Sequence, residues 1–236
     1  MDSLVSSQWL AERLGEKRLV VLDASAHLPD AKRDARAEFT TAHIPGARFL
    51  DLSTLIDRDS PVPAAVPTGA QFAERMRALG VNDGDRVVIY DDSAVKTSAR
   101  AWFIARMHGI KDVAILDGGL GKWRAEGRPL ESGETAVERG SFTAALGYGT
   151  VRFKSDMLVN LGSRREQVVD ARGRARFSGE QADFRPNIAS GHIPGSRNLP
   201  YNLLFQHDGT FCRPSNLKRA FELAGIGPGL GTRLRA

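Results

Sequence analysis

The sequence predicts an α/β protein made of two similar domains, each a parallel sheet flanked by helices, with the second domain incomplete. Two observations indicate this architecture. Short apolar runs alternate with helical stretches, the pattern that parallel strands joined by helical crossovers produce. Three segments also recur in the same order, at offsets of 147, 149 and 145 residues. The matched pairs are 19–24 with 167–171, 43–48 with 192–197, and 78–81 with 223–226.

The first copy can be followed element by element along the chain. Strands are predicted over 19–22, 47–50, 86–90 and 113–116, and helices over 8–14, 36–41, 70–79, 98–108 and 120–126. The strands are short, mostly apolar runs bounded by turn-forming residues. The helix over 70–79 spaces Phe72, Met76 and Leu79 by four and three residues, which places them on one face.

The repeat also predicts the domain boundaries. We expect a first domain over 1–130, a glycine-rich linker over 131–150 and a second domain over 151–236. The central strand of the first copy reads RVVIY at 86–90, whereas the corresponding residues 231–235 read GTRLR. Two arginines and a single large apolar residue do not suit a central parallel strand. We therefore expect the second domain to be truncated before its last strands.

The composition excludes several functional classes. Apolar residues make up 42% of the 236 residues, which is typical of a globular chain. The net charge is +5, but the basic residues are scattered along the chain and form no basic tract, so no nucleic-acid partner is expected. One cysteine, Cys212, excludes an internal disulfide, and no metal-ligand or phosphate-loop motif predicts a cofactor. No apolar run reaches membrane-spanning length and the start of the chain lacks signal-peptide character, so a cytoplasmic protein without a membrane partner is expected.

Three motifs resemble those of the tandem-domain rhodaneses, the thiosulfate and 3-mercaptopyruvate sulfurtransferases. They are HIPG in both halves, YDDSAVKTSARAWF at 90–103 and ILDGGLGKW at 115–123. The resemblance covers about residues 4–227. It implies that a cysteine in the second domain takes sulfane sulfur from thiosulfate or 3-mercaptopyruvate. The resulting persulfide then passes the sulfur to cyanide or a thiol, without a cofactor.

The resemblance assigns roles to three charged residues. Arg176, in Ala-Arg-Phe, matches an arginine of the family, and Arg185 matches a second arginine that is typical of the mercaptopyruvate branch. Both would hold the anionic donor, because a guanidinium can bind a carboxylate through two hydrogen bonds. Asp91 stands where the non-catalytic first domain of the family commonly carries aspartate. Ala64 replaces the histidine usual in the mercaptopyruvate branch, so the choice between the two donors stays open.

The family's nucleophilic cysteine has no counterpart in this sequence. Its loop would begin at about residue 236, so no catalytic residue is assigned. Cys212 belongs to the segment that matches the proline-rich loop of the first copy, and we do not expect it to act as the nucleophile. The imidazoles of His43 and His192 are expected to tie their turns to the backbone. Two hypotheses follow: a sulfurtransferase by family whose chain is inactive, or a non-catalytic rhodanese-like binding module or degenerate fragment.

Overall fold

The computed structural model describes residues 1–147, 151–183 and 188–227. The chain divides into two compact units, Met1–Thr150 and Val151–Ala236. Among the described residues, no helix combines the length and the apolar character needed to cross a membrane.

Within residues 1–147, the first unit is a five-stranded parallel sheet with helices on both faces. The strand order is β1-β5-β4-β2-β3. The strands are β1 Leu4–Val5, β2 Leu19–Asp23, β3 Arg48–Phe49, β4 Arg86–Tyr90 and β5 Val113–Leu116. The helices are α1 Ser7–Ala11, α2 Ala35–Thr41, α3 Gly69–Ala78, α4 Ser98–Met107 and α5 Gly119–Ala125. Short 3₁₀ helices cover Pro29–Ala31 and Leu52–Thr54.

The central strands are apolar because each of their faces packs against a separate cluster. On β4, Val87 and Ile89 pack into one cluster, with residues of α3 and α4. Val88 and Tyr90 pack into the other, with residues of α1, α2 and α5. Successive side chains of a strand point to opposite faces, so a strand covered on both sides reads as a continuous apolar run. The predicted strand over 86–90 therefore agrees with the observed one.

The segment 131–147, predicted as a linker, lies along the first unit. Glu131 and His43 form an antiparallel bridge, with both backbone hydrogen bonds at 2.9 Å. Phe142 is buried in the cluster that contains α3, where its ring meets that of Phe72 edge to face at 5.7 Å. A segment without helix or strand thus contributes to the core of the first unit.

The described part of the second unit contains a two-stranded parallel sheet and three helices. The strands are β6 Val169–Asp170 and β7 Arg197–Asn198, and the helices are α6 Lys154–Ser163, α7 Arg174–Ser178 and α8 Pro214–Leu223. A 3₁₀ helix covers Tyr201–Leu204. Over these residues the second sheet has two strands against five in the first. Residues 228–236, on which the expected truncation depends, lie outside the described residues, so the incomplete second domain stays a prediction.

The two units share local backbone geometry. In the first, Leu22 and Asp23 pair with β3, and in the second, the two residues of β6 pair with β7 in the same parallel sense. Gly80 and Gly225 follow equivalent helices, and both have a φ of +70°, which glycine adopts without strain. An arginine of the paired strand packs over each glycine, so a side chain there would collide with it.

The two units differ in how completely their apolar side chains are buried. Ile44 is fully buried in the first unit, whereas Ile193, its counterpart in the second HIPG turn, is 42% exposed. Of the described residues in the second unit, only Leu199, Pro200 and Thr210 are buried as whole residues. Several of its apolar side chains are at least 39% exposed: Phe153, Leu158, Val159, Leu161 and Leu223. The first unit therefore holds a closed core that the described part of the second does not.

We predict that limited proteolysis leaves a resistant fragment spanning about residues 1–147. Segments with few buried apolar contacts open locally at low free energy, so cleavage begins in the second unit. Mass spectrometry of a time course would identify the fragments. Trypsin and chymotrypsin should be compared, because the second unit is rich in arginine. A fragment of 151–227 that survives as long as the first unit with both proteases would contradict this prediction.

Glu126, which directly follows α5, links that helix to the start of α1. Its carboxylate accepts hydrogen bonds from Ser7 Oγ at 2.6 Å and Arg128 Nε at 2.5 Å. Lys122 Nζ lies 3.1 Å from the same carboxylate. The hydrogen bond from Ser7, followed by those from Arg128 and Lys122, lowers the pKa of Glu126 from 4.5 to about 2.

We predict that Glu126 stabilises the fold in a pH-dependent way. Because folding lowers this pKa, the stabilisation is complete above pH 4.5 and is lost as the pH falls through about 2. Urea unfolding of the wild type and of Glu126→Gln would measure it. The difference in their unfolding free energy should shrink between these two pH values. A difference that stays constant across this range would argue against the role.

Candidate functional site

The carboxyl ends of the strands carry the candidate sites in both units. Parallel sheets place their ligand-binding loops at this edge. In the first unit β2 ends at Asp23, and Asp91 directly follows β4. In the second unit β6 ends at Asp170. Three carboxylates thus stand at positions where a parallel sheet offers a site.

The carboxylate of Asp91 fills the loop at the start of α4. Its Oδ1 accepts a hydrogen bond from the backbone N–H of Ser93 at 3.0 Å, and its Oδ2 accepts one from Ser98 at 2.6 Å. Asp91 is 5% exposed. Free N–H groups at a helix N-terminus attract anions, and here the protein's own carboxylate occupies them.

Neighbouring groups close this loop. Ser93 Oγ accepts from the backbone N–H of Ala26 at 3.0 Å, and Thr97 Oγ1 donates to the carbonyl of Ala24 at 2.7 Å. Burial raises the pKa of the nearby Asp23 carboxyl, hydrogen bonds from Ser25 and Tyr90 oppose the rise, and the charge of Asp91 adds to it. The first loop is therefore a closed, self-filled anion cradle, which suits a non-catalytic copy.

An ion-pair network lies at the mouth of the first loop. Arg33 Nε binds Glu38 Oε1 at 2.7 Å, and its Nη2 reaches Asp92 Oδ2 at 3.0 Å. Arg124 Nη1 binds the same Asp92 oxygen at 3.1 Å. The hydrogen bond from Arg33 lowers the pKa of Glu38, with a smaller contribution from His27. The acids and arginines beside this loop are thus paired with one another.

In the second unit two arginines meet two aspartates beside β6. Arg172 binds Asp170 through Nε, at 3.0 and 3.1 Å from the two carboxylate oxygens, and through Nη2 at 2.6 Å. Its Nη2 also donates to the carbonyl of Gly191 at 2.8 Å. These hydrogen bonds from Arg172 lower the pKa of Asp170.

Asp183 is the buried member of this group. Its side chain is 1% exposed, and its Oδ2 forms an ion pair with Arg176 Nη2. The same oxygen lies 3.9 Å from Arg172 Nη1. One buried carboxylate therefore contacts both guanidinium groups, as burial of its charge requires.

The histidines of the two HIPG turns act as predicted. His192 Nδ1 donates to the carbonyl of Phe177 at 2.7 Å, and the two rings stack at 3.7 Å. His43 makes the same hydrogen bond to Phe39 at 2.7 Å, with the rings 4.0 Å apart. Because a carbonyl oxygen only accepts, Nδ1 carries the proton in both.

This shared contact reveals a correspondence that the sequence analysis missed. Residues 36–39 read RAEF and residues 174–177 read RARF, and the phenylalanine of each holds the HIPG histidine. Glu38 and Arg176 therefore occupy equivalent positions with opposite charge. The pair is offset by 138 residues, outside the 145–149 range of the other matched segments, which hid the signal.

The other residues considered from the sequence lie apart from this group or outside the described part. Arg185 falls outside the described residues. Cys212 follows the bridge between Phe205 and Phe211, and its Sγ lies 3.9 Å from the carbonyl oxygen of Leu203. That neighbour is a hydrogen-bond acceptor, which does not stabilise a thiolate as a ring of N–H groups does.

The chain is similar to known proteins over most of its length. The model of the rhodanese-like domain matches residues 6–126. The chain is 41% identical over 226 residues to 3-mercaptopyruvate sulfurtransferase of Mus musculus, covering 93% of this chain and 76% of that protein. Its identity to the enzyme of the same name from Escherichia coli strain K12 is 36% over 228 residues, covering 96% and 79%. Thiosulfate sulfurtransferase of Gallus gallus is 37% identical over 213 residues, covering 88% and 73%.

Solved structures show the same similarity. SseA from Escherichia coli, whose structure is described as the rhodanese fold of a 3-mercaptopyruvate sulfotransferase, matches with a TM-score of 0.87 and 33% identity. The match covers 96% of this chain and 85% of SseA. The Tum1 protein from Saccharomyces cerevisiae matches with a TM-score of 0.85 and 26% identity, covering 95% and 80%.

We predict that Asp91→Ala destabilises the first unit by about 2 kcal/mol, because it removes a helix cap and leaves buried N–H groups without an acceptor. Asp92→Ala is the matched control, since its ion pairs with Arg33 and Arg124 lie at the surface and contribute less than about 1 kcal/mol. Urea unfolding followed by circular dichroism measures both. Equal losses for the two variants would contradict the buried cradle.

Proposed function

The chain belongs to the tandem-domain rhodanese family, the thiosulfate and 3-mercaptopyruvate sulfurtransferases, and on that basis we propose that its site binds a small anionic sulfur donor through Arg176. The ion pair between Arg176 and the buried Asp183 supports this assignment. A guanidinium whose position is set by a buried partner loses little freedom when it binds a carboxylate.

Two further contacts support a fixed position for Arg176. The next residue in α7, Phe177, is stacked against His192, and its carbonyl accepts the imidazole N–H.

Arg185, predicted as the second arginine of the clamp, would add a second positive charge from the segment after Asp183. A planar fork of N–H donors suits the carboxylate of 3-mercaptopyruvate and also an oxyanion such as thiosulfate.

3-Mercaptopyruvate is the donor that we propose. Relatives named for this substrate are 36–41% identical to the chain over more than nine-tenths of its length. A thiosulfate sulfurtransferase is 37% identical, so thiosulfate is the second candidate. The acceptor in either case is a thiol or cyanide, and location in the cytoplasm stays a prediction.

The transfer that the family resemblance implies has two balanced steps, and it needs a cysteine other than Cys212. A cysteine thiolate attacks the sulfur of 3-mercaptopyruvate, the carbon–sulfur bond breaks, and its electrons leave on the enolate of pyruvate, which takes up a proton. The acceptor thiolate or cyanide then attacks the outer sulfur of the persulfide, and the enzyme thiolate is released. Arg176 would hold the donor carboxylate through the first step.

The polypeptide of these 236 residues lacks a suitable nucleophile for the first step. Cys212 is its one cysteine, and the neighbour of its Sγ is a carbonyl oxygen. We therefore propose that this polypeptide binds the donor without turning it over, as a rhodanese-like binding module would.

We predict that the polypeptide forms no thiocyanate from cyanide with either donor. Cys212→Ser should leave this result unchanged, since Cys212 takes no part. Colorimetric detection of thiocyanate measures the reaction. Turnover that disappears in Cys212→Ser would identify that thiol as the nucleophile, and turnover that persists would show a nucleophile other than cysteine.

We also predict that Arg176→Gln weakens binding of pyruvate, an unreactive analogue of the donor, by about tenfold or more, the cost of losing a charge-assisted hydrogen bond. Arg174→Gln is the matched control, because Arg174 is an exposed arginine of the same helix α7. Isothermal titration calorimetry measures both dissociation constants. Equal effects of the two substitutions would remove Arg176 from the site.

A further inference from the structure

Asp183 places a buried negative charge against the arginine assigned to the donor. Its side chain is 1% exposed, so its negative charge is held away from water by the arginines around it. The oxygen that pairs with Arg176 also lies 3.9 Å from Arg172. A carboxylate in ion-pair contact with Arg176 is therefore a permanent neighbour of any anion that binds there.

Among the described residues of this group, Arg172 and Arg176 carry two positive charges, and Asp170 and Asp183 carry two negative ones. Arg185, the second arginine of the proposed clamp, lies outside the described residues. Arg172 is oriented by Asp170 and by the carbonyl of Gly191, and Asp183 is in ion-pair contact with the guanidinium assigned to the donor. An incoming anion is attracted by Arg176 and repelled by Asp183. Both charges act at short range and are partly shielded from water, so the two interactions are strong.

We propose that Asp183 sets the charge preference of the donor site, favouring singly charged carboxylates over doubly charged thiosulfate. This inference rests on the proposed role of Arg176. Repulsion from one fixed negative charge is about twice as large for a dianion as for a monoanion. Asp183 thereby offsets the advantage that a dianion would have beside an arginine.

The first unit carries the opposite charge at the position of Arg176. There the equivalent residue is Glu38, which pairs with Arg33 earlier in the chain, whereas Arg176 pairs with Asp183 later in the chain. The surrounding frame of histidine and phenylalanine is the same in both units. The frame therefore accepts a charged residue of either sign at the position of Arg176.

The test compares two probes, pyruvate with one negative charge and thiosulfate with two, titrated calorimetrically at constant ionic strength. In the wild type we expect pyruvate to bind at least as tightly as thiosulfate. In Asp183→Asn we expect the ratio of the two dissociation constants to move about tenfold or more towards thiosulfate. Asp183→Glu keeps the charge and should keep the wild-type ratio.

Two controls separate this role from a structural one. Glu180→Gln removes an exposed negative charge nearby in the sequence and should leave the ratio unchanged. Loss of structure at Arg176 would weaken both probes together, whereas loss of the Asp183 charge changes their ratio. Circular dichroism verifies the fold of each variant, and if Asp183→Asn does not fold, the preference of the wild type between the two probes decides the question.

The outcomes distinguish the inference from the proposed function. If Arg176→Gln leaves both affinities unchanged, the donor site itself is wrongly placed. If Arg176→Gln weakens both probes but Asp183→Asn keeps the wild-type ratio, the role of Asp183 alone is overturned. A wild type that binds thiosulfate more than tenfold more tightly than pyruvate would also overturn it.

Discussion

The imidazole of each HIPG turn determines where the neighbouring charged residue lies. It stacks on a phenylalanine ring and donates its Nδ1 proton to the carbonyl of the same residue, so ring and backbone are held together. The residue before that phenylalanine then has little freedom to move. This position carries Glu38 in the first unit and Arg176 in the second, so the two units place opposite charges there.

The two units have similar local backbone geometry but place opposite charges at the matching position. In the first, Asp91 accepts from the N–H of Ser98 at the start of α4 and from that of Ser93 in the loop. Glu38 and Asp92 are paired with arginines at the mouth of the loop. The carboxylate of Asp91 therefore occupies the N–H groups that an external anion would need. In the second, Arg176 presents a cation at the matching position, and a buried acid moderates its charge. The proposed anion site therefore lies in the second unit.

The sequence predicts the central elements of the fold well and the short ones poorly. The strands over 86–90 and 113–116 coincide with β4 and β5, because burial on both faces makes continuous apolar runs. The two-residue strand β1 has too few residues to show any pattern, and helix α1 ends at Ala11 instead of the predicted residue 14. The segment 131–147 has no periodicity, yet Phe142 anchors it in the core.

The candidate site shows a similar division. Arg176 could be identified because it lies within a short motif that resembles a known family. Asp183 could not, since its importance arises from burial and from contact with two arginines, which no local spacing encodes. The correspondence between RAEF and RARF is visible in the sequence. The loop between this motif and the HIPG turn differs in length between the two units, which shifts the match away from the others.

A crystal structure of the polypeptide with bound pyruvate would test the central claim most directly. The account predicts a carboxylate within hydrogen-bond distance of the Arg176 guanidinium, with Asp183 still in contact with that arginine and no ligand in the Asp91 loop. Pyruvate bound at the Asp91 loop, or at a position out of reach of Arg176, would contradict it.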